Sequence, residues 1–224
     1  MIRRMIFFIS FILMIPSILL SSMFVNDSTD CVIISGMYDT ENDPSGSTSQ
    51  FVIGGEYVFY GNFSLGASFT SGSYKDDSDS YYNQSISGYG LDMSYHYKND
   101  PMYPVNFSFS AGYASIELDA DYLDDLGWEA TGNAISFGVQ AYKAIIERET
   151  FELIPFAGLS LLNTHVEIKD SYGDSIEDDD QSSIFSFGLG IKAGNAFVKP
   201  SISMNDGDNN FNITFGMILP QPKR

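Results

Sequence analysis

The 224-residue chain is poor in several things that functional domains commonly rely on. It has one cysteine, Cys31, so no internal disulfide can staple the fold and no cysteine cluster can hold a metal. It has two histidines, His96 and His165, which leaves little material for a triad or a histidine metal site. Basic residues are scarce, 11 Lys and Arg against 29 Asp and Glu, and the formal charge of −18 would repel nucleic-acid phosphates. No glycine-rich phosphate loop is present; the glycines alternate with apolar residues instead. Past residue 20 there is no long apolar run, which excludes a bundle of membrane-spanning helices.

What is abundant is aromatic and small: 18 Phe, 14 Tyr and 20 Gly, with a single Trp. The N-terminus is laid out as a secretory signal. Arg3 and Arg4 precede an almost wholly apolar stretch from Met5 to Leu20, and Ser21 and Ser22 offer small residues for a peptidase. Cleavage is expected near Ser22; an uncleaved N-terminal anchor is the alternative. Residues 1–22 hold two arginines and no acid, so removing them takes the charge from −18 to −20. Cys31 follows Thr29 and Asp30, with Ser28 three before it, which is not a lipidation site. The expected organisation is a signal peptide at 1–22, a short segment at 23–30, a β-domain at 31–220 and a tail at 221–224.

From residue 31 the chain alternates with the period of two that marks a strand. Phe211, Ile213, Phe215 and Met217 share one face, Asn212, Thr214 and Gly216 the other. Phe185, Phe187, Leu189 and Ile191 oppose Ser186, Gly188, Gly190 and Lys192. Phe107, Phe109 and Ala111 oppose Ser108, Ser110 and Gly112, and Tyr89, Leu91 and Met93 oppose Gly90, Asp92 and Ser94. Phe63, Leu65 and Phe69 oppose Ser64, Gly66 and Ser68. A soluble sandwich or barrel would have to bury all these aromatics inside. With the pattern turned inside out, large apolar residues face lipid and small polar ones fill a narrow lumen. Connections alternate as well. Gly61-Asn62, 98–103, 147–150 and Gly194-Asn195 are short, whereas 39–48, 71–82, 117–132, 169–182 and 205–210 are longer and polar. The expected fold is all-β: a closed antiparallel up-and-down transmembrane barrel of about ten strands, or eight if one hairpin fails. Tyr57, Phe59, Tyr60, Tyr95, Tyr97 and Tyr103 would form an aromatic girdle at the periplasmic side.

On these features (signal, alternation and loop rhythm over about residues 31–220) the chain resembles the small outer-membrane β-barrels of the OmpA/OmpX and opacity type, the porin family in the broad sense. The resemblance implies residence in the outer membrane, contact with its lipid and lipopolysaccharide, and insertion by the barrel assembly machinery. These families end on an aromatic residue that the machinery reads. Here Leu219 is followed by Pro220-Gln221-Pro222-Lys223-Arg224, and Phe215 and Leu219 would stand in.

Two sets of residues invite a functional reading. Glu56, Asp92, His96, Lys98, Glu152, Lys192 and Lys199 all fall on the small-residue face, where both signs of charge predict a cross-lumen ion-pair network that plugs the barrel. The alternative is a polar path for small solutes. The acids fall in the longer connections: Asp76, Asp77 and Asp79; Asp119 to Glu129; and Asp174, Glu177, Asp178, Asp179 and Asp180. Carboxylate oxygens suit weakly held divalent cations, which could bridge lipopolysaccharide phosphates, although the spacing matches no calcium loop. Neither His96 nor His165, with Glu167 two residues on, is accompanied by a nucleophile motif, so no enzyme activity and no cofactor are expected. The expected role is structural or surface-interacting. A narrow solute channel, or a secreted soluble β-module that binds a ligand, are the alternatives.

Overall fold

A computed structural model describes residues 22–25, 30–43, 46–76, 83–98, 105–148, 150–205 and 208–220. The proposed leader up to residue 21 and the C-terminal tail therefore lie outside the described residues, as do Asp77, Asp79 and Tyr103.

Eleven strands follow in chain order: β1 (Cys31–Asp43), β2 (Gly46–Phe59), β3 (Phe63–Asp76), β4 (Gln84–Tyr97), β5 (Asn106–Asp119), β6 (Glu129–Tyr142), β7 (Ile146–Arg148), β8 (Phe151–Lys169), β9 (Ser175–Ala193), β10 (Ala196–Asn205) and β11 (Asp208–Pro220). Consecutive strands pair antiparallel except β6 and β7, β1 closes on β11, and β6 pairs with β8. Strand β7 continues the line of β6: between the pairs Tyr142–Phe156 and Ile146–Leu153, three residues face two, a β-bulge. The ring thus has ten staves and no free edge at its waist, which is how a sheet satisfies its backbone without water.

The register fixes the tilt. From Cys31 the cross-strand partners run through Val58, Ser64, Ser94, Ser110, Gly138, Ser160, Ile184, Asn205 and Asp208. Extending the β11–β1 register by three residues returns the path to β1 at Asp43, twelve residues above its start (31 to 43). Such a stagger requires strongly inclined strands, at roughly 35–45° to the axis.

Turns at one rim are tight because the sequence supplies the necessary backbone. Tyr60 and Gly61 both have positive φ, 50° and 67°, and the Asn62 N–H donates to the Phe59 carbonyl at 3.1 Å, a type I′ turn. Gly194, at φ 61°, begins the two-residue link between β9 and β10. At the other rim the expected long loops are largely strand. Residues 39–43, 71–76, 175–182 and 208–210 extend the ladder, because alternation carried by polar side chains pairs as well as alternation carried by apolar ones. The stretch 117–132 holds a short helix, α1 (Asp121–Leu126), ended by Gly127 at φ 66°. The Gly127 and Trp128 N–H groups return to the Asp124 and Leu123 carbonyls, a Schellman cap.

The outer face carries the apolar belt. Ile34, Ile53, Phe69, Leu91, Phe109, Phe137, Leu159, Phe185, Phe215 and Met217 are all about half exposed, and every strand except the short β7 and β10 supplies at least one of them. Met204 makes the same contribution from β10. At the tight-turn rim Tyr57, Phe59 and Phe63 are in tilted ring contact, with centroids 4.6 and 5.9 Å apart, and exposed Tyr60, Tyr95 and Tyr97 lie at the same rim.

Candidate functional site: a filled lumen

The interior is filled in two ways. Towards the loop rim, β4, β5, β6, β8 and β9 turn Ile86, Ile116, Leu118, Ala130, Leu162, Val166, Ile168 and Ile184 inward, and α1 lays Tyr122 and Leu123, each 2% exposed, against them. The Gln84 side-chain amide donates to the Tyr122 hydroxyl at 3.2 Å. This helix was not foreseen from sequence, where 117–132 reads as acidic loop. The signal was there in the spacing of Tyr122, Leu123 and Leu126 ahead of Gly127.

Towards the tight-turn rim the filler is the chain's own N-terminal segment. Ser22–Phe24 forms one short helical turn inside the barrel, and Met23, Phe24 and Val25 are buried with Cys31, Ile33, Val58, Tyr142, Ile154, Phe156, Phe197 and Ile218. Phe24 is fully buried and stacks on Phe197 with centroids 4.7 Å apart. Gly190 makes room: a Cβ there would lie 2.7 Å from Met23 and from the Phe24 ring. From Val25 the chain leads back to Asp30, whose carboxylate accepts from the Tyr57 hydroxyl and the Tyr60 N–H at the rim. Sequence reasoning treated 23–30 as a mere lead-in; the run Met23-Phe24-Val25 directly after the expected cleavage point was the available clue.

The seven inward charges divide among different partners. Lys192 donates to Glu152 at 2.7 Å and also to the Phe24 carbonyl at 3.0 Å. Lys98 donates to the Val25 carbonyl. Two of the charges expected to face one another therefore hold backbone of the inserted segment, whose last carbonyls need donors as any helical turn's do. His96 lies between the Ser94 hydroxyl at 2.9 Å and the Tyr142 hydroxyl at 3.3 Å, and Ser94 in turn shares a 2.6 Å hydrogen bond with Ser64. Lys199 is 1% exposed with its amine 5.6 Å above the Phe156 ring, beside a small chamber lined by Ser108, Ser110, Gln140, Ser160 and Ser186. Glu56 and Asp92 line a second small space with Ser35 and Ser68, Asp92 packed where Gly66 has no side chain.

The acids expected in a loop at 174–180 are placed differently. Only Asp174 is in a turn, its N–H bonded to Asp170. Glu177, Asp178, Asp179 and Asp180 are residues of β9, paired across from Glu167, Val166, His165 and Thr164. Successive strand side chains point to opposite faces, so the four carboxylates cannot converge on one ion. His165 instead binds Asp179 at 2.8 Å on the outer face, and this hydrogen bond, with the charge of Asp179 behind it, raises the histidine pKa above its ordinary 6.5.

A further polar group was legible in sequence only in part: Asn212 and Thr214 fall on the small-residue face, whereas Asp39, Gln50 and Asn210 carried no such signal. Asp39, Gln50, Asn210, Asn212 and Thr214 point inward from β1, β2 and β11, each no more than 4% exposed. Ser201 donates to the Asn212 side-chain oxygen Oδ1, and the Asn212 side-chain amide reaches Ser203 at 3.4 Å. Among the described residues, Asp39 Oδ1, both Gln50 side-chain polar atoms, Asn210 Oδ1 and Thr214 Oγ1 have no hydrogen-bond partner.

With the geometry in hand, comparison with solved structures is decisive for architecture. The translocator domain of autotransporter NalP from Neisseria meningitidis superposes with a TM-score of 0.55 at 13% identity, covering 88% of this chain and 91% of that one. The beta domain of the Bordetella autotransporter BrkA gives 0.51 at 9% identity, over 84% and 99%. The fold is that of an outer-membrane β-barrel. At such low identity the likeness reaches the barrel's shape and stops short of its activity. The OmpA/OmpX subtype is not singled out, and no family model and no curated protein matches the sequence.

Proposed function

We propose that this barrel resides in the outer membrane as a closed structural or surface-interacting element, exported by a cleaved signal peptide and displaying its acidic rim outside the cell. The observation that carries the reading is the pairing of an apolar exterior with a lumen filled at both ends. The half-exposed aromatics and aliphatics around the ring are costly in water and favourable in lipid. The N-terminal turn fills the lower lumen, and α1 with its apolar bed fills the upper wall. A solute channel would need a continuous wet path past both. The soluble binding module would have to leave the belt in contact with water. The filled lumen and the balanced inward charges favour a non-enzymatic role.

The test is fractionation followed by gel mobility in SDS with and without boiling, then planar-bilayer recording. The expected result is an outer-membrane protein whose cold band shifts on boiling and which carries no steady current. A soluble protein with no shift would overturn the membrane reading. A steady current through the unmodified barrel would overturn closure and make it a channel.

A further inference from the structure

Three adjacent strands place a set of hard oxygen donors side by side in the closed interior. Asp39 on β1 lies directly opposite Gln50 on β2 and directly opposite Asn212 on β11. Asn210 is two residues further along β11, on the same face and diagonal to Asp39. Facing side chains on paired strands stand about 5 Å apart at Cβ and diagonal ones about 7–8 Å, so Gln50 from one side and Asn210 from the other can each reach the Asp39 carboxylate between them. Exposure is 4% for Asp39, 2% for Gln50, 4% for Asn210 and 2% for Asn212.

The set is electrostatically incomplete. The Thr40 backbone bonds the Asp39 carboxylate, yet Asp39 Oδ1, Gln50 Oε1 and Asn210 Oδ1 accept nothing from the described residues. No Lys, Arg or His among the described residues forms an ion pair with Asp39. Buried polar atoms are normally satisfied, and a buried carboxylate without a counter-charge is costly. A water molecule can satisfy dipoles but leaves that charge uncompensated, and a proton on the carboxyl removes the charge but leaves the amide oxygens of Gln50 and Asn210 without a partner. A cation does both, and carboxylate and amide oxygens are what hard cations choose. The orphaned Gln50 Nε2 is no obstacle, since only the carbonyl end of an amide ligates and the NH2 end remains free to bond water.

We propose that Asp39, Gln50 and Asn210 form an internal site for a hard, oxygen-seeking metal cation, with Asn212, whose side-chain oxygen already accepts from Ser201, at its border. One carboxylate among neutral oxygens makes it a site of moderate affinity, and burial makes it selective against the exposed acids of β9. The proposal requires the folded barrel but not its location in the membrane, so it stands or falls apart from the functional reading above.

The probe is Ca2+ titrated calorimetrically into the full-length barrel, folded in detergent, stripped with chelator and kept in sodium-free buffer. One saturable ion per barrel is expected. Asp39→Asn should weaken binding at least tenfold, whereas Asp178→Asn with Asp179→Asn should leave it unchanged. The cold-versus-boiled gel shift reports whether each variant folds. If Asp39→Asn does not fold, Gln50→Leu decides, with a severalfold weakening expected. Unchanged affinity in a folded Asp39→Asn or Gln50→Leu barrel overturns the proposal, because surface acids would then carry the binding. Absence of saturable binding in the wild type overturns it too, leaving the row to water alone.

Discussion

Truncating Phe24 to Ala should release the N-terminal segment from the lumen, and the single cysteine is placed to report it. Phe24 is fully buried against Phe197 and shares its cluster with Cys31, which is itself 2% exposed. Burial of Met23, Phe24 and Val25 stabilises the inserted state by about 1.5–3 kcal/mol each, hence about 5–9 in all. Ordering Ser22 to Val25 costs about 1.5 kcal/mol per residue, about 6 in all. The amine-to-carbonyl bonds from Lys192 and Lys98 add about 1.5–3 kcal/mol each at most. The balance is a few kcal/mol in favour of insertion. Losing the Phe24 ring costs about 3–5 kcal/mol, enough to cancel it. If a maleimide reaches Cys31 only when the segment is out, its rate follows the population of the open state. At 1.4 kcal/mol per tenfold, labelling should accelerate by about a hundredfold or more, up to the rate of a free thiol. Stopped-flow labelling in detergent, with the gel shift confirming an intact barrel, is the assay. Unchanged labelling in a folded Phe24→Ala barrel would mean that the segment does not guard the lumen.

Lys192→Met should destabilise the barrel by about 3–5 kcal/mol, because it strands a Glu152 side chain only 9% exposed as well as the Phe24 carbonyl. Adding Glu152→Leu should recover most of that loss in denaturant unfolding; a double variant no better than the single one would show that the pair's charge is not the cause. Gly127→Ala forces a Cβ into the left-handed region and should cost about 1 kcal/mol, read as faster amide exchange at Trp128 with the β-ladder unaffected. The His165 pKa is raised in the folded state by Asp179, so the pair's stabilising effect is full below the ordinary 6.5 and fades as pH rises through the folded value. Histidine NMR titration of Asp179→Asn should bring the midpoint back down; an unmoved midpoint would exclude the pairing.

The barrel was legible because a period of two with bulky residues on one face and Gly or Ser on the other permits few closed solutions. Phe109 against Ser108 and Ser110, or Phe187 against Ser186 and Gly188, fixes which side meets lipid. Polarity misled the reading at the loop rim. Asp39 and Asp178 were assigned to loops because acids end a hydrophobic pattern, yet backbone pairing does not depend on side-chain polarity, and both lie in strands. That same error hid the internal oxygen row, since Asp39 had been placed outside the sheet that carries it.

The filling of the lumen was legible only in outline, and the reason is topological. Alternation says which residues point inward, and all seven inward charges do so, but it is silent about what else shares the space. The lower lumen is occupied by Met23, Phe24 and Val25, a segment with no periodicity of its own. Its place is determined by features scattered over the chain: Gly190, which leaves out a side chain; Lys192 and Lys98, which supply donors; and Phe197, which offers a ring. None of these is a motif, because the segment that each of them serves lies more than seventy residues away in the chain. Glycine at 190 and lysine at 192 read, along β9, as ordinary alternation. Across the lumen they complement a helical turn of the same chain. The pairing expected between lysine and carboxylate accounts for Lys192 and Glu152, while Lys98 turns its amine to a backbone carbonyl that only a chain entering the barrel could bring there.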